Sequence, residues 1–127
     1  SVYYREYLKD FDNALNYALK ALEVVKNSKG IPDHSIASTY NTVVKAYIEL
    51  ENFDTAIEYA LKYLELIKNT KNVTDIKLAA AKKIVTTLKK GIKEIKAPKL
   101  ETLLTEKTKE LIKEAELILS SLEKKLD

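Results

Sequence analysis

The chain has no cysteine, and its 127 residues include only one histidine, two glycines and two prolines. Without cysteine it cannot form a disulfide, a thiolate zinc site or a cysteine nucleophile. Gly30 and Gly91 stand too far apart to build a glycine-rich phosphate loop. His34 alone cannot supply the two Glu-x-x-His motifs of a di-iron bundle. We therefore predict a protein that is not an enzyme and that holds no metal and no cofactor.

Long apolar runs are also missing from the sequence. No stretch approaches the roughly 18 uninterrupted apolar residues that a membrane-spanning helix needs. Residues 1–6 contain no apolar core of signal-peptide length. Together with the lack of cysteine, these features predict a cytoplasmic protein. A composition that is 46% hydrophobic and 32% charged favours a packed core over a disordered chain.

Arginine is nearly absent as well. Arg5 is the one arginine among 22 basic residues, and the net charge is only +3. Arginine is the side chain best suited to bidentate recognition of phosphates and guanine edges. Its scarcity therefore disfavours sequence-specific binding of nucleic acid.

What the sequence does contain is a 17-residue segment that occurs twice, at an offset of 42 residues. Residues 11–27 read FDNALNYALKALEVVKN, and residues 53–69 read FDTAIEYALKYLELIKN. Eleven of the 17 positions are identical. Five of the other six exchange apolar for apolar or polar for polar residues, and the sixth has Tyr63 in place of Ala21. Self-similarity at a fixed offset is typical of helical repeat proteins.

Both copies have the period of an amphipathic helix, with apolar residues at steps of three and four. A further amphipathic helix precedes the second copy. It runs from Asp33 or Ser35, each able to cap its first turn, to about Leu50. Glu51 and Asn52 then form a tight connection into the second copy. The two helices are therefore predicted to form an antiparallel hairpin.

The aromatic and small residues of this hairpin resemble the tetratricopeptide repeat in their spacing. Tyr40 and Tyr47 stand at the aromatic positions of the family's first helix. Phe53 and Ala56 stand at the aromatic and the small position that open its second helix. The resemblance implies an all-α fold of about five to six helices, in which antiparallel hairpins stack as a short right-handed superhelix.

The sequence departs from the family pattern at two positions and in its period. Val44 replaces a glycine and Tyr63 replaces an alanine, so wider helix contacts are expected at both. The 42-residue offset exceeds the family's usual period of about 34 residues. Longer repeats of this kind are similar to those of kinesin light chains and of bacterial peptide-sensing regulators.

The resemblance also implies where a partner binds, because the first helix of each hairpin lines the concave surface in this family. The implied groove residues are Ser38, Asn41, Thr42, Lys45 and Glu49. In the best-known subset, an asparagine and paired basic residues clamp the carboxylate end of chaperone tails. Thr42 stands where that asparagine is expected, which disfavours this ligand. The tyrosines at the family's core positions, which are expected to be buried, are Tyr17, Tyr40, Tyr47 and Tyr59.

The resemblance covers residues 1 to about 72, which are predicted to form two repeats. The first repeat is truncated, since residues 1–9 supply only the tail of its first helix, and further repeats are expected to precede it in a longer array. Residues 73–127 stay helical in pattern but lose the repeat spacing. They are predicted to form a degenerate third hairpin, interrupted near Pro98, that caps the stack.

Residues 74–127 hold a net charge of +4, and six lysines share one arc of the predicted helix before Pro98. These are Lys82, Lys83, Lys89, Lys90, Lys93 and Lys96. Such a stripe is either a solvated helix face or a docking surface for nucleic acid, anionic lipid or an acidic partner. Three functions stay open: a scaffold that binds a protein or peptide segment, the peptide-sensing domain of a larger bacterial regulator, and a binder of anionic surfaces through this stripe.

Overall fold

A computed structural model describes residues 2–70, 72–95 and 104–125, with side chains from residue 9 onward. Within these ranges it contains five α-helices and no strand. The helices are α1 (Val2–Asn27), α2 (Asp33–Glu49), α3 (Phe53–Lys68), α4 (Asp75–Lys93) and α5 (Glu106–Lys124). The predicted all-α fold is confirmed. None of the described helices is both long enough and apolar enough to cross a membrane.

Side chains at the helix starts and a tight turn set the helix bounds. Asn52, Thr74 and Thr105 accept hydrogen bonds from backbone N–H groups in the first turns of α3, α4 and α5. Between α2 and α3, Glu51 has a positive φ of 61°. The N–H of Asn52 donates to the carbonyl of Tyr47, which closes the hairpin turn. This predicted hairpin is therefore present.

The start of α2 differs from the prediction. Pro32 occupies the capping position, and no side chain accepts a hydrogen bond there. Asp33 is already the first helical residue, so the expectation that Asp33 or Ser35 caps α2 is wrong. The acidic Asp33 in the first turn still interacts favourably with the helix dipole.

The helices pack in two parallel pairs, α2 beside α4 and α3 beside α5. Along α2 and α4, Asp33 pairs with Lys77 and Asn41 with Thr87, so residue numbers rise together. Along α3 and α5, Asp54 contacts Thr108, and the Lys125 ammonium just after α5 reaches the Lys68 carbonyl. The hairpin α2–α3 and the pair α4–α5 thus lie side by side, as stacked helical repeats do.

The core lies between these helices and is richest along α3. Its buried residues are Phe53, Ala56, Ile57, Ala60, Tyr63, Leu64 and Ile67. Small residues matter here, because Ala56 and Ala60 are fully buried and allow close helix approach. On α4, where apolar residues also recur at steps of three and four, the buried residues are Leu78, Ala81, Ile84, Val85 and Leu88. Periodicity therefore located the core face of both helices.

Helix α1 corrects two expectations. It is continuous from Val2 to Asn27, so a separate helix in residues 1–9 is wrong. A helix of two turns would bury little surface and is marginal alone, whereas extending α1 adds hydrogen bonds without a new nucleus. Tyr17, expected in the core, is 74% exposed. Its repeat counterpart Tyr59 stacks on Tyr47 of α2, and no equivalent helix covers Tyr17 among the described residues.

Gly91 has a packing role that explains a glycine inside α4. A Cβ atom at this position would lie 2.7 Å from the Cγ2 atom of Ile48. Contacts this short force a neighbour to move, and Cγ2 is on a branched side chain with little freedom. Gly91 thus permits the close approach of α4 to α2.

We predict that Gly91→Ala destabilises the protein by about 1 kcal/mol, because overpacking outweighs the gain in helix propensity. The double variant Gly91→Ala with Ile48→Ala should lose less stability than the sum of the two single variants. Equilibrium urea unfolding gives the free energy of unfolding of the parent, the two single variants and the double variant. A Gly91→Ala protein more stable than the parent would contradict the packing described.

Candidate functional site

A cleft runs between α2 and α4 in two adjoining parts. The first part has a volume of about 340 Å³, and α2 lines it with Asp33, His34, Ala37, Ser38, Asn41, Thr42 and Lys45. The facing residues of α4 are Ile76, Lys77, Ala80, Lys83 and Ile84. The second part, of about 570 Å³, continues along the same helices toward Glu49 and Glu94. Lys45 and Lys83 line both parts, so they stand where the two meet.

All five groove residues implied by the tetratricopeptide resemblance line this cleft. Ser38, Asn41, Thr42 and Lys45 lie in its first part, and Glu49 lies in its second part. The spacing 38, 41, 42, 45, 49 keeps them on one face of α2. The structure therefore brings these side chains together, and their role in binding stays a prediction.

Five of the six lysines of the predicted stripe lie on α4 and are divided between two surfaces. Lys82, Lys83 and Lys90 line the cleft. Lys89 and Lys93 line a different depression beside α5, where the Lys89 ammonium lies 3.4 Å from a carboxylate oxygen of Glu116. Lys96 lies outside the described residues. Half of the predicted stripe thus belongs to the same cleft as the groove residues.

A polar pair joins the two walls of the cleft. Asn41 is only 8% exposed, and its Oδ1 atom accepts a hydrogen bond of 3.1 Å from the Thr87 hydroxyl of α4. The same hydroxyl lies 2.9 Å from the carbonyl of Lys83. This pair orients the Asn41 amide and fixes the register of α2 against α4, since a buried polar group is costly unless it is hydrogen-bonded.

Tyr63 of α3 forms part of the cleft floor. Its ring is 3% exposed and lies 5.4 Å, centroid to centroid, from the ring of Tyr40. Burial raises the pKa of Tyr63 to about 12, and the negative charge of Asp33 adds to the increase. The neutral phenol is thus strongly favoured in the folded protein.

We predict that Tyr63 contributes to alkaline unfolding. An unfolded tyrosine ionises near pH 10, below the folded pKa, so its stabilising contribution is complete below about pH 10 and is lost as the pH rises toward 12. The free energy of urea unfolding should fall less steeply over this interval in Tyr63→Phe than in the parent. Some fall should remain, since burial also raises the pKa of Tyr40 and Tyr47. Equal slopes would contradict this assignment.

The charges along the cleft are unbalanced toward the basic side. Its lysines are Lys45, Lys77, Lys82, Lys83 and Lys90, and its carboxylates are Asp33, Glu49 and Glu94. Lys77 lies 3.9 Å from Asp33 and so offsets one of the carboxylates. Lysines on both walls therefore favour an anionic ligand. Among the described residues, no group of three His, Cys, Asp or Glu residues could hold a metal ion.

Sequence reasoning missed how much of this site α4 and α3 contribute. Thr87 is not among the groove residues that the resemblance implies, and the lysine stripe is predicted as a surface separate from the groove. The apolar stripe of α4 did predict which residues point outward. The sequence did not show that part of this outward face lies opposite α2, because that depends on tertiary packing.

Comparison with protein families agrees with this architecture. The tetratricopeptide repeat family matches residues 2–69, which is more than half of the chain. The chain belongs to the tetratricopeptide repeat family. Members of this family are in general scaffolds for protein–protein interaction, and they are typically not catalytic. No curated protein and no solved structure matches the chain.

Proposed function

We propose that the cleft between α2 and α4 binds an extended, acidic segment of a partner protein, and that the domain acts as a protein-binding scaffold. The proposal rests on one observation, which is that two sets of predicted residues line the same cleft. The groove positions of α2 and three lysines of α4 line the two adjoining parts of the cleft. Membership in a family of interaction scaffolds supports a binding role for this cleft.

The dimensions of the cleft suit a short peptide. Helix α2 spans 17 residues from Asp33 to Glu49, which corresponds to about 24 Å at 1.5 Å per residue. An extended strand covers that length with about seven residues. A cleft of this kind can hold one segment of a partner without enclosing a folded domain.

The side chains of the cleft suit a peptide backbone as well as carboxylates. The Thr42 hydroxyl donates to the Ser38 carbonyl at 2.9 Å, which leaves its oxygen to accept from a peptide N–H. Asn41 carries an amide NH₂ that suits a peptide carbonyl. Lys45 and Lys83, exposed on opposite walls, are placed to contact acidic side chains of the ligand.

The test is selection from a random octapeptide library displayed on phage. We expect the selected peptides to be enriched in Asp and Glu. Their affinity should fall at least about tenfold, or about 1.4 kcal/mol, for Lys45→Glu with Lys83→Glu. The control is Lys26→Glu with Lys124→Glu, which makes the same charge change at exposed positions of α1 and α5. Equal losses in both double variants, or selected peptides with no acidic bias, would refute the proposal.

The cytoplasmic location stays a prediction from composition. The division into two repeats and a capping hairpin also stays a proposal. The packing of α4 on α2 and of α5 on α3 supports it, since the last two helices follow the placement of the hairpin before them.

A further inference from the structure

The first part of the cleft contains an apolar pocket near the end marked by Asp33. Small residues stand on both walls, since Ala37 of α2 and Ala80 of α4 line the cleft and are half-buried. The floor between them includes Tyr63 and Ile84, which are 3% and 1% exposed. Because alanine side chains are short, space is left above a floor that is itself apolar and buried.

The charges of the cleft are arranged so that this end suits an apolar ligand group. The Lys77 ammonium lies 3.9 Å from the Asp33 carboxylate, so the two charges offset each other here. Ile76 also lines this part of the cleft and is 71% exposed. Lys45 and Lys83 stand farther along, where the two parts of the cleft meet. The cleft is therefore apolar near its Asp33 end and basic beyond it, as expected of a site that binds an apolar and an anionic group together.

We propose that the apolar pocket binds one large apolar side chain of the partner segment, beside the acidic side chains that Lys45 and Lys83 contact. This assignment rests on the proposed function, because it places one further residue of the same bound segment. Burial of that side chain removes apolar surface from water and so strengthens binding. Ala37 and Ala80 determine the specificity, since a longer side chain at either position fills the space that the ligand residue needs.

Helix geometry sets the spacing of the two kinds of ligand residue. Ala80 and Lys83 are three residues apart on α4, which is about 4.5 Å along the helix axis. Ala37 and Lys45 are eight residues apart on α2, which is about 12 Å. An extended ligand advances about 3.3 Å per residue, and every second side chain points to the same side. We therefore expect the apolar residue of the ligand about two or four positions from an acidic residue.

Calorimetric titration with a peptide from the library, and with the same peptide carrying alanine at its apolar position, tests the pocket. The alanine peptide should bind the parent protein at least about tenfold more weakly than the selected peptide. Ala80→Leu should bind both peptides equally, and about as weakly as the parent binds the alanine peptide. The control is Ala14→Leu, which enlarges an exposed alanine of α1 and should bind both peptides as the parent does.

The peptide change leaves the protein intact, so the test does not depend on how well Ala80→Leu folds, and Ala37→Leu repeats it from the α2 wall. One outcome overturns the pocket alone: acidic peptides weakened by Lys45→Glu with Lys83→Glu, but with the same affinity when their apolar residue is replaced by alanine. The proposed function would then stand. Peptides whose affinity the two lysine changes leave unaltered would refute the proposed function and, with it, the assignment of the pocket.

Discussion

Leu64→Ala is expected to lower the free energy of unfolding by about 3 kcal/mol. Leu64 is fully buried, in the helix that packs against α2, α4 and α5. Because neighbours surround it on several sides, the cavity left by the truncation cannot collapse fully, and both the transfer and the cavity terms are lost. Equilibrium urea unfolding measures the change as a shift of the midpoint at constant slope.

Two leucines provide the controls for this prediction. Leu22 occupies the same repeat position in α1 and is 3% exposed, but it lies in the outermost of the described helices. Leu22→Ala should cost less than Leu64→Ala, because the surroundings can relax into the cavity. Leu117 is 71% exposed, and Leu117→Ala should change stability by less than about 0.5 kcal/mol. Equal losses at all three positions would contradict the placement of α3 at the centre of the core.

Asp54→Ala is expected to lower the free energy of unfolding by about 2 kcal/mol. The Asp54 carboxylate accepts a hydrogen bond of 2.5 Å from the Thr108 hydroxyl of α5, and Thr108 is fully buried. A hydrogen bond to a charged group is among the stronger ones. The Thr105 hydroxyl lies 2.9 Å from that of Thr108 and can accept in place of the carboxylate, which limits any added desolvation cost. This contact ties α3 to α5.

Two further carboxylates are controls that distinguish the Asp54–Thr108 hydrogen bond from a surface ion pair and from the helix-dipole effect. Glu58 also faces α5 and lies 3.7 Å from the Lys107 ammonium, but both side chains are about half exposed or more. Glu58→Ala should cost less than about 0.5 kcal/mol, as surface ion pairs do. Asp75 occupies the first turn of α4 as Asp54 does that of α3, so Asp75→Ala measures the helix-dipole contribution alone. If Asp54→Ala costs no more than Asp75→Ala, the bond to Thr108 contributes nothing measurable.

The helices could be predicted because their evidence is local. The duplicated segment with its apolar period identified α3 and the second half of α1. The turn at Glu51 and Asn52 is where the prediction put it. Period and turn chemistry depend on neighbouring residues in the chain, which the sequence displays directly.

Tyr17 and Thr108 show what local evidence cannot supply. Tyr17 has the same sequence surroundings as Tyr59, yet only Tyr59 meets a covering helix. Thr108 is fully buried where α5 packs on α3, and its hydroxyl donates to Asp54, 54 residues earlier in the chain. A pattern tells which face of a helix is apolar or polar, but whether another helix covers that face is decided by tertiary packing.

The candidate site, too, could be predicted only in part. The family resemblance was enough to name the residues on the α2 wall of the cleft, from Ser38 to Glu49. The α4 wall was not foreseen, since only the packing of α4 beside α2 turns Lys83 toward Lys45 and separates it from Lys89. The basic character of the cleft therefore emerges from two helices that are distant in sequence.

The most direct test of the cleft as the binding site is nuclear magnetic resonance of the ¹⁵N-labelled protein, whose mass of 14.4 kDa suits the method. Titration with an acidic octapeptide selected from the library should shift the backbone amide signals of residues 37–49 in α2 and 76–94 along α4. Signals from the outward faces of α3 and α5 should stay in place. Shifts confined to α1, α3 or α5, with those of the cleft unchanged, would show that the partner binds elsewhere.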